Sequence, residues 1–255
     1  MSAVFDDTPI AVVDLEAPAR WLFSGWADFK KAMPVSLTYG ALFVIAGYAL
    51  VWMAMQASMI YVVMPLIGGF ALFAPFMSLG LYEVSSQLEK GEKPTFFSTW
   101  DAWRKRPRRV GLMVMALLIV MMAWFLIGSL VFGIAVGSGT HSIDGVVEQL
   151  LTSEGFAMIM VGSLIGLFFA AVVFLCGAIS FPSLIDRDLE PVEAVMLSIR
   201  AVLRNSHVMW SWAFTIALLV WFGISLALVG LAVAVPVLAY ATWHAYRELV
   251  PPQEA

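Results

Sequence analysis

Residues 104–137 read RKRPRRVGLMVMALLIVMMAWFLIGSLVFGIAVG. Five of the first six residues are basic, and the 28 that follow carry no charged side chain. A helix rises 1.5 Å per residue, so about 20 apolar residues cross a hydrocarbon core roughly 30 Å thick. Val110–Gly137 is long enough for one crossing, and its basic flank belongs on the side of the membrane where Lys and Arg are retained.

The rest of the chain has the same character. Its 255 residues are 62% hydrophobic and 13% charged, where a soluble domain has about 25% charged residues. With 18 Phe, 10 Trp and 15 Met, this composition excludes a soluble globular domain, a disordered tail and a barrel with a polar lumen. The net charge of −4 argues against a nucleic-acid partner. The one cysteine, Cys176, lies inside an apolar run and allows no intrachain disulfide. Residues 1–19 hold four acids, no base and no long apolar core, so no signal peptide is expected there.

Three further apolar stretches run from Val35 to Tyr82, from Phe156 to Phe181 and from Val208 to Tyr246. By length the first and last hold two spans each, which predicts six transmembrane helices. Turns are expected near Gln56–Ser58 and Gly223–Gly230. All 14 Lys and Arg fall in the segment before residue 35, in 83–109, in 182–207 or in the tail. The loop 138–155 has only Asp144, Glu148 and Glu154, with a short surface helix expected over 142–152. Both termini are therefore expected in the cytoplasm, with the lipid bilayer of an inner membrane as the solvent.

An internal repeat accompanies the spans. SGWADFKK at 24–31 aligns with STWDAWRK at 98–105, setting Trp26 on Trp100, Phe29 on Trp103 and Lys30–Lys31 on Arg104–Lys105. Leu22, Trp26, Phe29 and Met33 share one helical face, as do Phe96, Trp100 and Trp103. A third, more diverged copy runs through Val195, Ile199 and Val202 beside Arg200 and Arg204. Each copy follows a Leu-Glu and a nearby Pro, residues that suit a helix start. The expected fold is an all-α membrane protein of three parallel repeats (about 20–82, 95–181 and 191–246), each an interfacial amphipathic helix plus a transmembrane hairpin. An acidic tail at 1–19 and a C-terminal tail at 247–255 flank this one domain of 20–246. Trp26, Phe29, Trp100, Trp103, Arg104, Lys105 and Arg106 are the candidate membrane-interface residues. The 83–109 segment carries +3, whereas 1–34 and 182–207 are net negative.

No Asp, Glu, Lys or Arg falls inside an expected span, which counts against a proton-coupled pump. The hydroxyls of the spans are expected to make helix-to-helix hydrogen bonds, and the spacings Gly133–Gly137 and Gly162–Gly166 to let helices approach closely. His207 and His244 fall toward the same end of the last hairpin, where a shared metal or haem site would need both; ordinary interfacial roles are expected. Ser163 has no mid-membrane His partner for a protease. Catalytic, cofactor and metal sites are accordingly expected to be none, and the chain is expected not to be an enzyme.

The six spans, the Leu-Glu leads and FPSLIDRDLEP at 181–191 resemble an uncharacterised bacterial family of integral membrane proteins, a domain of unknown function over roughly residues 15–246. Some members carry a provisional cytochrome c oxidase label. The resemblance implies at most association with respiratory complexes, and three histidines are too few for haem-copper chemistry. The leading expectation is a non-enzymatic accessory or assembly partner of a larger membrane complex. The alternative is a permease or channel for a small neutral or apolar solute, with a cavity around Gly68, Gly69, Pro75 and Pro236.

Overall fold

The structure is a computed structural model that describes residues 8–56, 70, 78–136 and 152–252. Helix α1, Ala17–Lys31, has Pro18 in its first turn, where a missing N–H costs nothing, and Lys30 and Lys31 in its last turn against the negative end of the dipole. Ala32 leaves the helical conformation, and Pro34 lies in the first turn of α2, Met33–Gln56. Then come α3, Leu79–Glu89, a 3₁₀ turn at Ser98–Trp100 and α4, Asp101–Arg104. The remaining helices are α5 (Pro107–Val136), α6 (Ser153–Gly177), α7 (Ser180–Asp186), α8 (Pro191–Arg204), α9 (Ser206–Ser225) and α10 (Leu231–Leu249). No strand occurs among the described residues.

Helix α8 shows how the leads work. Glu190 and Glu193 form a reciprocal capping box and Pro191 opens the helix, so the free amides of the first turn are satisfied by side chains adjacent in sequence. The connection between α9 and α10 falls at Leu226–Gly230, where the turn was expected. It is tight: a Cβ on Gly230 would stand 2.8 Å from Gly223 Cα.

Four helical segments are long and apolar enough to cross a bilayer: Met33–Met53, Pro107–Val131, Gly155–Asp186 and Ser206–Ser225. They coincide with the first, third, fourth and fifth of the six expected spans. The second span, the turn at 56–58 beyond Gln56, the 142–152 helix, Gly137, and the permease residues Gly68, Gly69 and Pro75 lie outside the described residues. The sixth span coincides with α10, which is not among the four. Its second half carries Thr242, His244, Arg247 and Glu248, and Tyr240, Trp243 and Tyr246 are completely buried. Pro236, the last of the proposed cavity residues, is buried in the same helix.

Two compact units divide the chain. The first takes its residues from 1–44, 74–114 and 174–255. At its centre α10 packs against α1, α3, α7 and α9. Trp21 meets Trp212 edge-on, with ring centroids 5.6 Å apart. The N-terminal segment is held to the same unit: Ala11 N–H donates to Leu249 O, and Asn205 bonds Val13 N–H and Ala11 O. The second unit takes its residues from 45–73 and 115–173. Its helices expose Trp52, Met55, Ile119, Met122, Leu126, Leu130, Leu164, Leu167 and Phe168. Water would oppose this exposure, whereas lipid tails are a fitting solvent for it.

The hydroxyls differ from expectation. Thr38, Thr215, Ser225 and Thr242 donate to carbonyls of their own helices instead of bridging to another. Ser180 does bridge, to Ala194 O on α8. The glycine spacing at 162 and 166 brings no helix backbone close: Gly166 faces the Trp124 ring, and nothing lies within 4 Å of a Cβ on Gly162. Apart from the Gly223–Gly230 turn, the close backbone approaches occur at Gly25 and Gly40.

Candidate functional site

The face of α1 that meets α10 is lined by Ala17, Trp21, Gly25 and Asp28. A Cβ on Gly25 would stand 2.6 Å from Ala241 N and 2.7 Å from Val237 O, so only glycine lets the two backbones meet. One turn on, this approach delivers Asp28 to His244 on α10. The imidazole Nε2 lies 2.8 Å from Asp28 Oδ2, and the Ser85 hydroxyl of α3 donates to the same oxygen at 2.9 Å. Asp28 is 5% exposed, so its charge is matched by two donors, as a buried carboxylate requires. Nearby the Ser36 and Tyr240 hydroxyls bond at 2.7 Å, and Ser36 also donates to Ala32 O.

The rim of α10 continues the network. Trp21 Nε1 donates to Glu248 at 2.7 Å and Trp243 Nε1 to Glu89 at 3.0 Å. Arg247 bridges Glu89 and Asp186 at 3.2 and 3.1 Å. Tyr246 donates to Asp186 at 2.6 Å and accepts from Arg187 at 2.9 Å, while Arg187 also reaches Val250 O and Pro251 O. Four helices are thus tied to one another by side chains far apart in sequence.

The expected interface residues differ in exposure. Trp26 is 44% exposed and stacks on Phe29, with centroids 5.2 Å apart, yet Phe29 itself is buried. Trp100 is 54% exposed with its edge against Phe96. The side chain of Trp103 lies outside the described residues. Arg104 is exposed. Lys105 comes within 4.0 Å of Glu83, and Arg106 donates to Ile185 O at 2.6 Å. Further along the run, Arg108 pairs with Glu190 at 2.9 Å and Arg109 with both Glu190 and Asp188. Much of the basic cluster is therefore engaged with α7, α8 and the segment joining them.

Two hollows flank this cluster. A cavity of about 170 Å³ is lined by Glu83, Ser86, Lys90, Lys105, Arg106 and Asp186, closed by Ala102 and Ile185. A more open groove of about 420 Å³ is lined by residues 105–109 and Asp188. Among the described residues, no three His, Cys, Asp or Glu side chains are placed to hold a metal ion. His207 is exposed, and His244 is committed to Asp28.

Asp28 is the group that the sequence reading passed over. Trp21, Gly25, Asp28 and Ala32 recur at i, i+4, i+7 and i+11, the same period as the aromatic face beside them. The small residues at 25 and 32 were the available signal that this face is the one packed closely.

The pairing of Asp14 with Arg20 at 2.8 Å makes a pH prediction. The guanidinium hydrogen bond holds the Asp14 carboxyl below its usual range. A lowered carboxyl value means that stability is present above the ordinary carboxylate range and lost as pH falls through the lowered value. Thermal melts should show Asp14→Asn slightly less stable than wild type at neutral pH. The two curves should converge in acid, where Asp14 is uncharged.

No curated protein and no solved structure matches the chain. A family match does exist, and it spans the stretch from before α3 through α7, taking in the smaller hollow, the basic run and two of the four apolar helices. Residues 63–186, just under half of the chain, are similar to the family described as Predicted integral membrane protein (DUF2189), a domain of unknown function.

Proposed function

We propose that this protein acts by binding, as a non-enzymatic accessory or assembly partner of a larger complex in a bacterial inner membrane, respiratory complexes being one class of candidate. The observation that carries this reading is a stripe on α9. Trp210, Phe214, Leu218, Trp221 and Phe222 follow one another at helical spacing and are all exposed. Aliphatic side chains suffice to face lipid tails, whereas large aromatics are the residues that concentrate where protein meets protein.

The reading includes six spans, cytoplasmic termini and three parallel repeats. Contacts among the short helices support the repeats. The helices that return from the membrane, α3, α7 and α10, touch one another pairwise. The interfacial helix of each repeat packs on the returning helix of the repeat before it, taken cyclically: α1 on α10, α4 on α3, α8 on α7. A rotation about an axis near the membrane normal generates this order, and an in-plane inversion does not. The second copy departs in length, with one 3₁₀ turn and a four-residue helix where α1 has 15 residues.

Extraction in mild detergent with a C-terminal tag, followed by mass spectrometry, should recover a stoichiometric membrane-protein partner. Phe214→Ala with Trp221→Ala should reduce that recovery at least fivefold without changing the melting temperature of the purified protein. Recovery only as a monomer or a self-oligomer overturns the proposal.

A further inference from the structure

We propose that the cavity between α3, α4 and α7 is a binding site for a phosphate group, such as an anionic phospholipid headgroup or a small soluble phosphate ester carries. The proposal stands independently of the accessory-partner reading.

The first observation is Ser86. It is 5% exposed and its side chain lines the cavity. Its neighbours on α3 are both partnered, Ser85 with Asp28 and Gln87 with Glu83 and Ser98. The Ser86 hydroxyl has no hydrogen-bond partner among the described residues. Its oxygen is open to the cavity and free to donate to an occupant there.

The second observation is which charges in the lining are already spent. Asp186 receives Tyr246 and Arg247, and Glu83 receives Gln87 with Lys105 at 4.0 Å. The acids therefore have little left to offer a cation. The donors do. Lys90 has no carboxylate within ion-pair distance among the described residues, and neither has Arg106, whose guanidinium is already oriented by its bond to Ile185 O. A fixed guanidinium, an ammonium and a hydroxyl around one hollow suit a tetrahedral oxyanion, because Arg offers parallel N–H groups to two of its oxygens.

The surroundings add to this. Helix α5 begins at Pro107, immediately after Arg106, and its first-turn amides and dipole favour negative charge nearby. The 420 Å³ groove shares Lys105 and Arg106 with the cavity, which leaves room for the remainder of an esterified phosphate.

The test uses the purified full chain in an uncharged detergent, titrated by calorimetry with three probes. Dioctanoyl phosphatidylglycerol represents the lipid source, glycerol 3-phosphate the soluble source, and dioctanoylglycerol lacks the phosphate. Saturable binding of one or both phosphate probes, with none of dioctanoylglycerol, supports the site. Binding of the lipid alone identifies the headgroup as the source, and binding of glycerol 3-phosphate the soluble ester. Ser86→Ala, which leaves the fold's own hydrogen bonds intact, should weaken that binding about tenfold, the worth of one hydrogen bond to a charged group. Arg106→Gln should weaken it at least as much, and Arg104→Gln, which lines neither hollow, less than twofold. Absence of saturable phosphate binding overturns the proposal. So does an equal loss in Ser86→Ala and Arg104→Gln or no loss in Ser86→Ala, either of which would leave only a diffuse basic surface.

Discussion

Replacing Gly40 by leucine should destabilise the protein by about 3 kcal/mol, at the upper end of overpacking costs. A Cβ at this position would fall on the Ala232 carbonyl, with its carbon and Cα both at 2.7 Å. The obstacle is backbone, so no rotamer change relieves it and α2 must move away from α10. That displacement would also stretch the Ser36–Tyr240 hydrogen bond one turn earlier on α2. For a chain of this size, 3 kcal/mol corresponds to a drop of about 6–12 °C in Tm. Alanine should be milder, because it adds the same Cβ but none of the bulk that leucine carries beyond it. Gly111→Ala is the control: nothing lies within 4 Å of its Cβ, so only the better helix propensity of Ala remains and stability should hold or rise. Equal melts for Gly40→Leu and wild type in detergent would show that the two helices are not in contact.

Asp28→Ala is the second large effect. It strips the acceptor from Ser85 and His244 at once. Leaving a buried donor without its acceptor costs about 1–3 kcal/mol. The lower end is expected, since the His244 side chain is 23% exposed and can recover some hydration. Asp28→Asn keeps a carbonyl acceptor at the same place and should lose less than half as much. The double variant Asp28→Ala with His244→Ala should be less unstable than the two losses combined, because the first change has already orphaned the imidazole. Urea or thermal unfolding followed by circular dichroism reads all three. Strict additivity would mean that the pair does not hold α1 to α10.

The membrane character, the four apolar helices and the turn at Leu226–Gly230 were legible in the sequence because each depends on neighbouring residues. A span is a run of apolar side chains, and a hairpin needs small residues at its corner. The start of α8 is equally local, since Glu190, Pro191 and Glu193 satisfy amides within a single turn.

Which face of a helix is inside was not legible, and α1 shows why. In water the apolar stripe marks the core. In a bilayer both the core and the solvent are apolar, so Leu22, Trp26 and Met33 gave the same periodic signal as Trp21, Gly25 and Asp28. Helix α10 carries both signals: an apolar run at its start, and buried aromatics and polar side chains that serve contacts with α1, α3 and α7.

By itself, then, the sequence determined that the solvent is lipid, which four stretches are long and apolar enough to cross it, and that basic residues crowd one loop. Tertiary structure alone decided that Asp28 meets His244 across 216 residues, and that Arg106 meets Ile185 across 79. The first pairing depends on how closely two backbones approach, which here rests on the absence of a side chain at Gly25. Hydropathy and charge are summed along the chain and carry no record of that distance.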